Sequence, residues 1–513
     1  MYRHNQRQLE FEDFALPFGG KLRSDNRWIM LAKFIPWEEF EPGYAKAASK
    51  SSLGPPAKSV RVALGALIIK ERLGASDEET VEQIRENPYL QYFLGYKEYT
   101  DEPPFDPSMF VYFRKRFSQE WLSGLNEKIA QKALKEEKET SKPKRSSKNN
   151  DDDSGTSSGA NNGKLLVDAT CTPADITFPT DLKLLNTARE KSEEFIDILH
   201  RPWKGKQKKP RTYRKRARKE YLSASKSKKM AGNKRRKVLR KQLGYLKRNL
   251  KNIDKLSTQT SLLKLTPRQY KNLLVIHEVY RQQQWMYDHQ ENRIDDRIVS
   301  ISQPHVRPIK RGKAGAATEF GAKISASLVD GHCFVDRISW DAYNESGDLI
   351  GQIESFRERF GHYPESVHAD QIYRNRENRN YCKIHNIRLS GPPLGRRPSD
   401  LERQREIKKQ ARQDELDRMP IEGKFGQVKR RFSLARVMCK LAKTSETAIM
   451  VAFLVINLEK WLQSHLFCLI FTFRIQFFHS IGATVRLFRT LTEMLECCTE
   501  FRRNTCRKIL TEF

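Results

Sequence analysis

The spacing of apolar positions changes several times along the chain. In SVRVALGALIIKERLG, from Ser59 to Gly74, Val62, Leu64, Leu67, Ile68 and Leu73 fall close to one helical face, and the run stops at a glycine. Ser76, followed three residues later by Glu79, has the capping-box pattern and opens a second helix, SDEETVEQIREN. Pro88 starts PYLQYFLGY, and FDPSMFVYFRKRF from Phe105 predicts a further short helix capped by Ser108. Short helices in succession, ending on Arg114, Lys115 and Arg116, are compatible with a helix-turn-helix-like DNA reader and equally with any small helical bundle.

Beyond Gly163 the pattern becomes that of strands. Leu165, Leu166 and Val167 form a short buried run that delivers Asp168 at its end. EFGAKISASLVDGHCFVDRISW alternates on both sides of Asp330-Gly331, a dipeptide favoured in tight hairpin turns. Ser346 to Pro364 has helical spacing at Leu349, Ile350, Ile353, Phe356 and Phe360. SVHADQIY predicts a strand ending near Asp370, followed by a helical NRENRNYCKIHN and a short strand in IRLSGPP. The order strand, hairpin, helix, strand, helix, strand predicts an α/β layer on a mixed sheet. In DRMPIEGKFGQVKRRFSLARV, Pro420 suits a first helical turn, which puts Glu422 near that helix's amino end and Lys429 two turns along the same face.

Composition then divides the chain. Thr140 to Lys164 is rich in Ser, Asn, Gly and Asp and reads as a flexible linker. The expected organisation is a helical domain at 1–139, a linker at 140–163, an α/β domain at 164–462 carrying a basic, mainly helical insertion at 186–312, and a tail of uncertain structure at 463–513.

The 513 residues hold 95 Lys+Arg against 63 Asp+Glu, a formal charge of +32, which calls for a polyanionic partner, nucleic acid first and anionic membrane second. That charge is local: Arg201 to Leu250 contains 22 Lys+Arg and one acid, Glu220. Trp203, Tyr213, Tyr221 and Tyr245 are interleaved with it, a mixture suited to tracking phosphates and laying rings on sugars or bases. Arg214, Lys215, Arg216, Arg235 and Arg236 are the candidate DNA contacts there, against the plainer reading of a solvated basic helix. Eight cysteines without Cys-x-x-Cys spacing, and an amino terminus without a signal-peptide core, point to a reducing, cytoplasmic setting. The apolar stretch from Leu466 to Phe478 is interrupted by Arg474 and falls short of the roughly 20 residues a span requires, so no membrane partner is expected.

Acids at the ends of buried strands differ chemically from acids on solvated helices. Asp168 and Asp370 meet that condition, and Glu422 stands beside Lys429, Arg430 and Arg431. Three such carboxylates could form an oxygen cage for Mg²⁺ or Mn²⁺, with the cations holding phosphate. Each acid alone is more often a surface or capping residue.

Taken together, the pieces resemble a family. VDAT with Asp168, RGKAGAATEFGAK, WDAYNESGDL, HADQIYRNRENR with Asp370, and IEGKFGQVKRR with Glu422 are similar to the DDE transposases of bacterial insertion sequences, in the group around insertion sequence 5. The resemblance covers most of residues 1 to about 462. It implies an RNase H-like catalytic fold in which Asp168, Asp370 and Glu422 coordinate two Mg²⁺, Mn²⁺ being a substitute. It also implies double-stranded DNA, terminal inverted repeats and target, as partner, and a homodimer or larger assembly. The family's Tyr-x2-Arg-x3-Glu-x6-Lys signature falls in register on Arg418, Glu422 and Lys429, while Glu415 stands at the tyrosine position. Two alternatives stay open: a DNA-binding relative without activity, and an RNase H-like nuclease without strand transfer.

Overall fold

The computed structural model describes residues 10–47, 56–141, 161–227, 230–310, 318–393 and 400–465, with 395 and 398. Most of the expected linker, RGKAGAA at 311–317 and the tail beyond 465 lie outside the described residues.

The Leu165–Val167 run lies within strand β1, Lys164–Pro173. Its partners are β2, Arg307–Lys310, β3, Thr318–Val329, β4, His332–Ser339, β5, Ser366–His368, and β6, Arg388–Leu389. The sheet order is β2-β3-β1-β5-β6, with β4 also on β3. β1 runs antiparallel to β3 and parallel to β5, and β5 is parallel to β6, so the sheet is mixed. The hairpin turns at Asp330 and Gly331, both with positive φ, as a two-residue turn of this kind demands.

Side chains of β1 alternate between two apolar layers. Leu165 and Val167 join Ile353 and Phe356 of the Leu349–Phe360 helix in one cluster. Leu166 joins Ile324, Ala326 and Leu328 of β3 in another. That second cluster continues without a break into the amino-terminal helices, through Trp28, Leu64, Ile68 and Phe113, and into a helix over 442–465, through Val451, Leu454 and Trp461. Phe34 stacks on Trp461 with ring centroids 4.0 Å apart. Asn457 seals the junction: its Oδ1 accepts from Cys333 N at 2.8 Å, and its Nδ2 donates to Cys333 O at 2.7 Å and Asn126 Oδ1 at 2.8 Å.

The stretch read as insertion is helical over Asp181–His200, Arg214–Ser225, Gly232–Ser257 and Pro267–His289, and the first of these helices begins before the expected boundary at 186. It has a core of its own, built by Leu185, Phe195, Leu246, Ile253, Ile276 and Val279 among others. Its amphipathic helices leave one stripe for that core and the opposite face for the cations.

Several local expectations hold. Ser59 accepts from Val62 N, and Gly74 ends the Val60–Leu73 helix at φ +66°. Ser76 accepts from Glu79 N at 3.0 Å, one half of the expected capping box, while the Glu79 carboxylate accepts from Gln83 instead.

Three need correcting. Ser108 does not cap the Met109–Arg116 helix; it is already αR, and Asp106 Oδ1 accepts its N–H at 2.9 Å. β2 lies within the stretch read as insertion; RPIK carries Pro308, tolerated because β2 is an edge strand, and a four-residue edge gives little alternation to read. Pro420 starts no helix but sits inside Leu401–Arg431. Its lost hydrogen bond costs about 3 kcal/mol in a free helix. Here Ile421, Phe425 and Val428 bury against the shared core, and Asp414, bonded to Arg388 and Gly391 N, pins the preceding turns to the β6 side of the sheet.

Candidate active site

Asp168 shares Leu166's face of β1, the face on which the Leu401–Arg431 helix packs. Its Oδ1 accepts from Ala169 N at 2.8 Å. Arg418 reaches between helix and strand: Nη1 lies 2.8 Å from Glu422 Oε1 and 3.9 Å from Asp168 Oδ2. Because the helix runs through Pro420, Arg418 and Glu422 are an i,i+4 pair on one face. One guanidinium thus serves two carboxylates from different elements. Burial raises the Asp168 carboxyl to about 6; the Ala169 N–H and Arg418 oppose the rise, while the charges of Glu422 and Glu345 add to it.

Asp370 follows β5 by two residues. β1 and β5 pair Leu166 with His368, so Asp168 and Asp370 stand two residues beyond that pair on their respective chains. Asp370 is exposed, and its Oδ1 accepts from Gln371 N at 2.6 Å, capping the turn Gln371–Tyr373. Asp168 and Glu422 are therefore brought together around a cation, and Asp370 is level with them but turned to its own cap. Among the described residues no group of three or more His, Cys, Asp or Glu is gathered closely enough to hold a metal ion. The donor chemistry of the pair, two carboxylates already sharing one positive group, suits a hard divalent cation.

The expected DNA contacts divide by environment. Arg114 is buried and pairs with Asp77 at 2.5 Å, and Arg116 donates to the Tyr44 hydroxyl at 2.9 Å; both are fold contacts, since their helix supplies Phe110 and Phe113 to the core. Lys115 is exposed. Arg214 pairs with Asp197 at 2.8 Å and Arg216 with Glu220 at 3.4 Å, while Lys215 and Arg235 are exposed and Arg236 lies over the Tyr287 ring. Lys429 is half-buried and Arg430 exposed. Of the interleaved rings, Tyr245 is internal, its hydroxyl donating to Glu220 at 3.1 Å, and Trp203 donates to Thr260 at 2.8 Å, so these two tie the module together.

Sequence reasoning missed two neighbours of the acids. Glu345 and the buried Tyr373 both interact electrostatically with the Asp168 neighbourhood. They were visible only as letters inside WDAYNESGDL and HADQIY. Also unanticipated is a cleft of about 1210 Å³ between the insertion and the β2–β3 edge, lined by Phe178, Phe320, Trp285, Arg281, Lys323 and Tyr343.

Residues 17–116 match a family described as transposase domain (DUF772), and residues 367–459, which hold Asp370, Arg418, Glu422 and Lys429, match a family described as transposase DDE domain. Two regions of the chain are therefore similar to transposase domains, one of them the DDE domain of insertion-sequence transposases. Both halves of the transposase pattern, the leading helical region and the acid-bearing region, thus occur in one chain and in one continuous core. The chain is also 31% identical over 156 residues to an uncharacterized protein, ORF8 in the nfe locus of Rhizobium meliloti. That similarity takes in 30% of this chain and 66% of the relative. No solved structure matches. Among the described residues no helix is long and apolar enough to cross a membrane, and the stretch from Leu466 lies outside them.

Proposed function

We propose that this protein is a transposase that cleaves DNA at the terminal inverted repeats of its own element and joins the released ends to target DNA, using Asp168, Asp370 and Glu422 on an RNase H-like core. The observation that carries the reading is the Arg418 guanidinium shared by Asp168 and Glu422, at 3.9 and 2.8 Å, beside a parallel strand pair that brings Asp370 level with Asp168. The sheet, in which β1 to β4 pair antiparallel and β5 and β6 run parallel to β1, supports the RNase H-like assignment. Asp168, Asp370 and Glu422 would hold two Mg²⁺. When bound, such ions activate an attacking oxygen and stabilise the leaving one.

The chain's own residues do the rest. Asp168 and Glu422 offer negative oxygens from a rigid strand and a rigid helix. Arg418 is positioned to pass from the carboxylates to a phosphate, a partner its planar fork suits equally well. Lys429 and Arg430, farther along the same helix, would hold flanking phosphates. The exposed cations of the insertion would grip duplex DNA beside the cleft, and two protomers would join two ends in the cytoplasm.

Asp168→Asn or Glu422→Gln is expected to keep end binding and to lower Mg²⁺-dependent cleavage on the order of a thousand-fold. Persistent cleavage by both purified variants would remove the acid assignment. Exchanging Lys215, Arg216, Arg218 and Lys219 together for Gln tests the grip. The log–log salt slope of DNA binding should fall by about 0.9 for each phosphate that the variant no longer neutralises. An unchanged slope would make the module something other than a phosphate tracker.

A further inference from the structure

Two short turns flank the acid site and are clamped to each other. The turn Glu345–Asp348 precedes the Leu349–Phe360 helix, and the turn Gln371–Tyr373 follows Asp370. Asn378 is buried, and its Nδ2 donates to Ser346 O at 2.7 Å in one turn and to Tyr373 O at 2.8 Å in the other. The second turn is also tied to the acid before it, because Tyr373 N donates to Asp370 O at 3.0 Å. A single buried amide therefore fixes where Glu345 stands relative to Asp370.

Glu345 is held from its other side. Lys323 of β3 pairs with Glu345 Oε2 at 2.5 Å and donates to Tyr343 O at 2.9 Å. The Tyr373 ring is fully buried, with 0% exposure, and its hydroxyl has no hydrogen-bond partner. The negative charges of Glu345 and Asp168 both act on it. A buried hydroxyl without a partner is destabilising by about 1–3 kcal/mol, a cost that a phenylalanine of the same ring volume would not carry. Burial keeps the phenol protonated, so its hydroxyl is a neutral donor with negative charge from Glu345 and Asp168 in its surroundings.

We propose that Glu345 and Tyr373 are positioning residues of the acid site: Lys323 anchors Glu345, and the Tyr373 hydroxyl donates between Glu345 and Asp168 as Asp168 takes up a divalent cation, locking the Asp370 turn against β1. The proposal rests on the metal reading above and goes beyond the three acids. Oriented supports of metal-binding carboxylates alter metal affinity without touching the metal.

The test is Mn²⁺ titration of the full chain by calorimetry, with cleavage and end binding measured in parallel. Tyr373→Phe keeps the ring volume, and Glu345→Gln keeps the shape while removing the charge. The expected result is about ten-fold weaker Mn²⁺ binding in each variant and a matching shift in the Mn²⁺ concentration for half-maximal cleavage. End binding should be unchanged, and Glu345→Asp should recover part of the affinity that Glu345→Gln loses. Wild-type Mn²⁺ isotherms for Tyr373→Phe and Glu345→Gln would overturn the proposal, while loss of cleavage in Asp168→Asn would still leave the three-acid reading standing. Should Glu345→Gln fail to fold, Tyr373→Phe decides alone. If Asp168→Asn retains cleavage, the three-acid reading fails, and the isotherms still judge Glu345 and Tyr373 separately.

Discussion

The amino-terminal helices and the basic insertion are both helical additions to the same sheet, yet they are attached in opposite ways. The first share their apolar core with β1, β3, the Leu401–Arg431 helix and the 442–465 helix. The second buries its leucines and isoleucines within itself. Sequence distance misleads here: residues before the Ser- and Asn-rich stretch are part of the sheet's own packing, whereas residues between β1 and β2 form a separate cluster. What decides is whether a helix is apolar on more than one side. Val60 to Ile69 are nearly all buried, so that helix needs neighbours all around, whereas the Gly232–Ser257 helix buries one stripe and presents cations on the other.

The sharpest way to break this contrast is Asn457→Ala. It strands Cys333 N and Asn126 in the junction and should cost about 4 kcal/mol, several unmet buried hydrogen bonds at once. Denaturation followed by hydrogen exchange should lose protection in the amino-terminal helices and in β4 together. Loss in one of them alone would mean that the two are not one cooperative unit. Leu246→Ala, in the insertion core, should cost about 3 kcal/mol. In this variant exchange should rise in the helices of 181–289 and leave β1 and β3 protected.

The smallest effect is set by pH. His332 is buried against Lys460 and Lys424, and burial first, then those cations, depress it to about 3. Below pH 6.5 the unfolded chain takes up a proton that the folded chain refuses, so stability falls as pH drops from 6.5 towards 3. At pH 5 the loss is about 2 kcal/mol. His332→Gln should flatten that part of the pH–stability profile, read from denaturation midpoints at pH 7 and pH 5. An unchanged slope would mean that the ring is hydrated in solution.

The candidate acids came from two carboxylates that end apolar runs and from a third that the family resemblance sets at a fixed spacing from Arg418 and Lys429. What could not be read was the company those acids keep. Pro420 signals a helix start by its own chemistry, and only burial of Ile421, Phe425 and Val428 carries the helix through it. Arg114 and Arg116 look like surface cations in RKRF, but Asp77 and Tyr44, far away in sequence, had already claimed them. Glu345 and Tyr373 had no signal, because a turn residue becomes part of a site only when another turn is clamped beside it.

The sequence by itself determined most of the strand and helix order, β2 excepted, the hairpin at Asp330-Gly331 and the location of the charge, since these follow from periodicity, turn chemistry and residue type within short windows, while the candidate acids were singled out by the family resemblance. Tertiary structure alone decided that one guanidinium joins Asp168 to Glu422, that the leading helices and the sheet have one core while the basic module has its own, and which arginines remain exposed. Those outcomes depend on pairings at separations from a few residues to hundreds, and a linear pattern carries no record of which buried groups satisfy one another.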